Sequence, residues 1–358
     1  MSQQTEPGTK ATGADGDGPM AAGGDGAGKV AFVLGGGGIH GAAEVGMIRA
    51  LLEHGVQPDL VLGTSIGALN GAILASGPDT ALERLCELWT NVDANNPFEA
   101  SLLEQASTFA RTRTHLHGNH RLRRLILKSL PVRTFEELPV AFQCVAANIE
   151  RASARWFDSG PLVEALLAST AVPGLLPPVE VDGEHHLDGG LVDSIPVGRA
   201  ETLGATVIHV LQVGRVEQPL VAPRKPWEVG VVAFEIARRH RFVEEMAAVG
   251  EHIEVHLLPT GDRIDPNDAS QLQYRNTSDV TRRIEAAYEA SSAYLAEAAT
   301  GVAIGATGSA GAAGATGAAG AAGAAGAAGA TGAAGAAGAA RAAGAAGAAG
   351  ATGAARRS

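Results

Sequence analysis

Several common signatures are missing from this chain of 358 residues. No apolar run reaches the roughly eighteen residues needed to cross a bilayer, and no basic stretch followed by an apolar core marks a signal peptide near the start. There are two cysteines, Cys86 and Cys144, both in apolar contexts and without metal-ligand spacing. This pattern predicts buried free thiols in a reducing compartment and no bound metal. A cytoplasmic protein that at most touches a membrane surface is expected.

Positive charge is also in deficit. Through residue 300 there are 24 Lys and Arg against 38 Asp and Glu, a formal −14, which argues against general nucleic-acid binding. Large apolar side chains are scarce at both ends. Residues 1–28 are mostly Gly, Ala, Asp and Thr, too few apolar groups to offset the entropy of ordering, and are expected to form a flexible leader. From Gly305 to Gly353 glycine recurs at every third position, with one break at Arg341. That period is the collagen signature, but the stretch has no proline to pre-organise polyproline II chains, so residues 301–358 are expected to be a disordered tail. Between the ends, residues 29–300 suffice for one large domain with a substantial core.

Val30 to Leu34 is fully apolar and ends in glycines, as a buried parallel strand does. Ala42 to His54 carries Val45, Ile48, Leu51 and Leu52 on one helical face, and Gly55 closes the helix. Leu60–Leu62 and Ile66–Ala75 repeat strand and helix, so a right-handed parallel α/β unit is the default. Residues 91–130 lack strand-like runs and form a segment of different character. Within it Arg111 to Lys128 collects five arginines, one lysine and three histidines, read as a solvated helix surface. Further strands are expected at 142–147, 155–157, 179–181, 184–187, 207–213 and 253–258, with helices at 161–169 and about 227–246. Asp182-Gly183 marks a tight hairpin, and Arg238-Arg239-His240-Arg241 is expected to be an exposed helix end.

Three constellations carry chemistry. The first is a glycine loop between strand and helix, with G-x-G-x-x-G at Gly36, Gly38 and Gly41. A dinucleotide fold would seat a pyrophosphate there and place an acid about twenty positions on. Asp59 has that spacing but precedes the second strand rather than ending it. The second is Gly63-Thr64-Ser65-Ile66-Gly67, a G-x-S-x-G turn that presents a serine hydroxyl at the head of a helix, where the dipole favours a developing anion. Adjacent parallel strands bring their C-terminal loops together, so backbone N–H groups of Gly36 to Gly38 could face an oxyanion formed at Ser65. The third is Asp188, followed by Gly189 and Gly190, which allow close backbone approach. None of the eleven histidines, including His185, His186, His209 and His256, sits in a loop signature that demands a base. A carboxylate would need a preorganised hydrogen bond from the serine and partial exclusion of water to serve instead.

In this order, Gly36-Gly37-Gly38-Ile39-His40-Gly41, Gly63-Thr64-Ser65-Ile66-Gly67 and Asp188-Gly189-Gly190 resemble the patatin-like phospholipase family, in the form of a bacterial serine acyl hydrolase. The resemblance spans roughly Val30 to Leu211. It implies a three-layer α/β fold with a mostly parallel central sheet, helices on both faces and a helical cap insertion at about residues 91–130. It further implies a histidine-free Ser-Asp dyad, with Ser65 as nucleophile and Asp188 as general base. The Gly36, Gly37 and Gly38 backbone would form the oxyanion hole, while Gly41, Gly63, Gly67, Gly189 and Gly190 support the motifs. The substrate implied is a lipid ester, with no metal or organic cofactor and no nucleic acid. Two positions depart from the family pattern: His40 stands where arginine or lysine is common, and Asp193-Ser194 where asparagine often occurs. A catalytically silent lipid-binding or scaffold protein and a nucleotide-binding α/β protein are the alternatives.

Overall fold

In the computed structural model, β1 (Val30–Leu34) shows why its sequence is apolar without alternation. Ala31 and Val33 enter one core while Phe32 and Leu34 enter another, so both faces of the strand are covered. The structure describes residues 28–90, 107–108, 110–213, 219–261 and 277–300. The expected leader and tail, and most of the 91–130 cap before residue 107, lie outside the described residues.

Five parallel strands run in the order β3-β2-β1-β7-β8: β2 is Leu60–Thr64, β3 Ala141–Asn148, β7 Val207–Leu211 and β8 Glu254–Leu257. Three antiparallel strands, β4 (Ser153–Phe157), β5 (Val179–Val181) and β6 (Glu184–Asp188), complete a mixed eight-stranded sheet; β4 and β6 both pair with β3. The core holding Phe32 and Leu34 is closed by α1 (Ala42–Glu53), α2 (Ile66–Ala75), α3 (Pro78–Thr90), α4 (His120–Ser129), α5 (Leu162–Ser169) and α8 (Thr277–Ala299). On the opposite face α6 (Val197–Thr202) and α7 (Pro226–Ala248) cover Ala31, Val33, Ile208 and Val210. The result is the expected three-layer α/β architecture. Leu34 is level with both Gly63 and Leu211, so the loops leaving β1, β2 and β7 emerge side by side at one sheet edge.

The helix α8 is not among the elements expected from sequence. Val280, Ile284, Ala287, Ser291 and Leu295 recur at helical spacing and are buried, with the helix lying along α1. The approach is close because α1 has glycine at its centre. A Cβ on Gly46 would lie 2.1 Å from the Ile284 carbonyl oxygen and 2.7 Å from the Tyr288 nitrogen. Alanine ordinarily strengthens a helix interior by about 1 kcal/mol over glycine, yet Gly46→Ala is expected to destabilise the protein by about 1–3 kcal/mol through overpacking. Urea unfolding measures this. A stabilised variant would show that α8 does not pack there.

Cys144 is buried as expected, and burial pushes its thiol far up, whereas Cys86 lies on the outer face of α3 and is exposed. On that amphipathic helix Leu85, Leu88 and Trp89 take the inward positions, which leaves residue 86 facing outward. The cations of α4 are solvated, as expected: Arg123 and Lys128 meet Glu164 and Glu87 in exposed ion pairs. Among the described residues no helix is long and apolar enough to cross a membrane.

Candidate active site

Ser65 stands between β2 and α2 with φ of 56° and ψ of −122°, a conformation that a non-glycine residue holds only when its surroundings impose it. The surroundings are tight because of the flanking glycines. A Cβ on Gly63 would sit 2.5 Å from the Ala68 Cα, and one on Gly67 would sit 2.5 Å from the Leu34 carbonyl oxygen. The Ser65 N–H donates to Ser169 Oγ at 3.0 Å, a fully buried partner on α5. Ser65 itself remains 9% exposed, at the head of α2.

The register of β3 brings the acid to it. Thr64 pairs with Val145 and Asp188 pairs with Ala146, so the ends of β2 and β6 meet across one strand. The Ser65 hydroxyl donates to Asp188 Oδ2 at 2.6 Å, and the Gly190 N–H donates to Oδ1 at 2.8 Å. Gly189 permits this approach: a Cβ there would lie 2.2 Å from the Val145 carbonyl oxygen. Asp188 is 1% exposed, and burial raises its pKa to about 6. The Ser65 and Gly190 hydrogen bonds and the charge of Arg238 oppose that rise.

The glycine loop borders the same place. A Cβ on Gly36 would come within 3.4 Å of Ser65 Cβ. Of the three N–H groups expected to face an oxyanion, that of Gly36 already donates to the Ser194 carbonyl at 3.0 Å. Among the described residues no acceptor is paired with the N–H of Gly37 or Gly38. Gly38 has φ of 59°, which glycine adopts without strain. Gly41 follows the loop, and its missing Cβ leaves room for Ile66 at 2.8 Å and Trp89 at 3.1 Å. Its carbonyl accepts from Asn70, which also binds Glu44 and receives the Trp89 indole N–H. Burial holds the Glu44 carboxyl well above the usual range.

His40 is buried, and its Nδ1 lies 2.8 Å from Arg283 Nη1 on α8. A guanidinium only donates, so Nδ1 is the acceptor and the imidazole is neutral in this contact. Asp59 accepts the Val30 N–H at 2.8 Å, at the sheet edge opposite the glycine loop. The ribose-gripping acid of a dinucleotide site is therefore not supplied by Asp59. None of the hydrogen bonds of Ser65 or Asp188 among the described residues is to a histidine. His185 and His186 lie on β6, whereas His209 and His256 stack on the far strands β7 and β8.

Three site residues were given no role in the sequence reading. Ser169 carries no local pattern that distinguishes it from other buried serines, and Ser194 entered only as part of the Asp193-Ser194 departure from the family pattern. Arg238 was placed on an exposed helix end, but α7 continues to Ala248 and the Arg238 side chain is only 5% exposed. The helix turns it inward, where Nη1 donates to the Gly36 carbonyl at 2.5 Å. A serine at a forced turn, a buried carboxylate bound to its hydroxyl and a neighbouring pair of backbone donors are the parts that acyl transfer requires. Among the described residues no group of three or more His, Cys, Asp or Glu is placed to hold a metal ion.

Residues 32–200 match the family model described as patatin-like phospholipase. Residues 301–357 match the collagen triple helix repeat model; the match follows the glycine period, in a stretch without proline. "Lysophospholipase nte1" of Emericella nidulans is 34% identical over 197 residues, which cover 52% of this chain and 12% of that protein. "Patatin-like phospholipase domain-containing protein ZK370.4" of Caenorhabditis elegans is 34% identical over 192 residues, 53% of this chain and 14% of that one. The chain thus spans about an eighth of the length of these relatives, and their organisms lend no support to the expected bacterial type. Among solved structures, VipD from Legionella pneumophila aligns with a TM-score of 0.37 at 15% identity, covering 75% of this chain and 67% of that one. The type III effector protein ExoU aligns with a TM-score of 0.30 at 16% identity, covering 75% and 53%.

Proposed function

We propose that the protein is a lipid acyl hydrolase that cleaves carboxylic ester bonds with Ser65 as nucleophile and Asp188 as general base, a reading supported by the match of residues 32–200 to the patatin-like phospholipase model. The observation that carries this reading is the 2.6 Å hydrogen bond from the Ser65 hydroxyl to a buried carboxylate, at a turn whose backbone holds the serine in a forced conformation. Phospholipids or lysophospholipids are the substrate class, a choice supported by the names of the relatives.

In the first half-reaction Ser65 Oγ bonds to the ester carbonyl carbon as its proton passes to Asp188. The N–H groups of Gly37 and Gly38 stabilise the resulting oxyanion. Collapse breaks the bond to the alcohol, which leaves with the proton from Asp188. In the second half-reaction Asp188 takes a proton from water, the hydroxide attacks the acyl-serine, and the fatty acid departs as Ser65 regains its proton. A pKa of about 6 suits this base better than the ordinary value near 4, because the proton acceptor is stronger while still ionised at neutral pH. As the base must be ionised, kcat/KM should fall below about pH 6.

A fluorophosphonate probe and a panel of phospholipid, lysophospholipid and short-chain esters test the reading. Wild-type protein should label covalently and turn over at least one ester class, and Ser65→Ala should do neither. Folded wild-type protein that neither labels nor hydrolyses would leave a lipid-binding role instead.

A further inference from the structure

Arg238 lies outside the three sequence motifs, yet α7 delivers it into the loop beside Ser65. Its Nη1 donates to the Gly36 carbonyl at 2.5 Å and lies 3.5 Å from Ser194 Oγ, while Nη2 meets Glu235 at 3.4 Å. Glu235 is itself on α7 and largely buried, so the guanidinium is braced by its own helix before it reaches the loop. On the other side of the Gly36 residue, the N–H is fixed by the Ser194 carbonyl at 3.0 Å. Gly36 is thus held at both its nitrogen and its oxygen, whereas the next two N–H groups have no acceptor among the described residues.

The peptide joining Gly36 to Gly37 is a plane in which C=O and N–H point in opposite directions. Gripping the oxygen therefore aims the Gly37 N–H away from α7. Glycine alone would leave that plane free to rotate, because residues 35–38 carry no side chain to restrain it. A cation on the carbonyl also polarises the peptide and strengthens its N–H as a donor.

We propose that Arg238 is a positioning residue for the oxyanion loop, its guanidinium holding the Gly36–Gly37 peptide so that the Gly37 N–H faces the acyl centre formed on Ser65. This rests on the hydrolase reading above. The same charge bears on Asp188, which it helps to keep ionised. The hydrogen bonds of Arg238 among the described residues go to Gly36, Ser194 and Glu235, and none goes to Ser65 or Asp188. Its effect runs through a peptide and through a field.

The test uses the full chain, with Arg238→Gln and Arg238→Lys compared with wild type on one soluble ester across pH, and circular dichroism checking the fold. Loss of an aligned oxyanion donor costs about a hundredfold to a thousandfold in kcat. Arg238→Gln, which keeps a weaker neutral donor, should lose about tenfold to a hundredfold in kcat with KM changed less than about threefold. Its acid limb should move to higher pH, because a cation that favoured the carboxylate is gone. Arg238→Lys should return the limb toward wild type but recover only part of kcat, since an ammonium cannot reproduce the planar fork. A merely structural arginine would not move the limb and would treat the two substitutions alike.

Arg238→Gln with wild-type kcat and an unmoved limb overturns the proposal. So does a variant in which kcat falls but the limb stays and lysine restores nothing. Should the glutamine variant not fold, Arg238→Lys decides alone, and wild-type kcat in it also overturns the proposal. Wild-type protein that fails to label with fluorophosphonate removes the hydrolase reading itself, a result distinct from any of these.

Discussion

Asp188→Asn should lose ester turnover by at least about a thousandfold, the scale of removing one member of a catalytic unit, and should be more resistant to heat than wild type at neutral pH. The two effects share one cause. Asp188 is buried, and its pKa stands at about 6 against an ordinary 3.8. Below pH 3.8 the carboxyl is protonated in both folded and unfolded chains, and no penalty exists. Between 3.8 and 6 the unfolded chain releases the proton while the folded chain retains it, so stability falls as pH rises. Above about 6 the folded protein carries the full cost of a buried charge, roughly 3 kcal/mol from a shift of this size. Asparagine has no such charge and keeps an oxygen to accept the Gly190 N–H. The difference in melting temperature should therefore be largest at pH 7–8 and vanish near pH 4. An Asn variant with near-normal turnover would remove Asp188 as the base. One that is dead but no more stable at pH 8 than at pH 4 would instead show that the carboxylate is well solvated in the native protein.

Ser65→Ala should reduce turnover between about a thousandfold and a millionfold and abolish labelling, but its stability should change in the opposite direction. The alanine retains a Cβ and so keeps the forced backbone. What it removes is the 2.6 Å hydrogen bond to Asp188, leaving the carboxylate buried with the Gly190 N–H as its remaining donor among the described residues. A hydrogen bond to a charged group contributes about 1.5–3 kcal/mol, so the loss should appear at pH 8 and shrink toward pH 4, where Asp188 is protonated. Calorimetry on wild type, Ser65→Ala and Asp188→Asn at the two pH values would reveal the pattern: two inactive proteins, one less stable and one more stable at pH 8. Parallel shifts of both would contradict the coupling of Ser65 to Asp188.

Much of the scaffold was legible because burial leaves simple patterns. β1 and α2 fall at their expected bounds, since an apolar run ended by glycines and a small-residue helix after G-x-S-x-G have few other uses. Gly189 was expected to let backbone approach, and the Val145 carbonyl 2.2 Å from its hypothetical Cβ is that approach. The helix α8 was missed although Val280, Ile284, Ala287 and Leu295 repeat at helical spacing. Its inward face also contains Ser291, which blurs the apolar stripe, and nothing local announces that Gly46 awaits it.

The sequence by itself determined the parallel α/β class, the turn that lifts Ser65 and the glycine pair that follows Asp188, because each depends on short-range backbone demands that glycine and apolar runs record in order. Tertiary structure decided which groups surround them. Only the register of β3 brings Asp188 within 2.6 Å of Ser65, and only the folding of α7 across the sheet turns Arg238 from an apparent surface cation into a buried partner of Gly36. It likewise engages the Gly36 N–H with Ser194 and sets a neutral His40 against Arg283 of α8. These contacts join residues up to 243 positions apart, and no local pattern encodes a separation that the chain closes only by packing its layers.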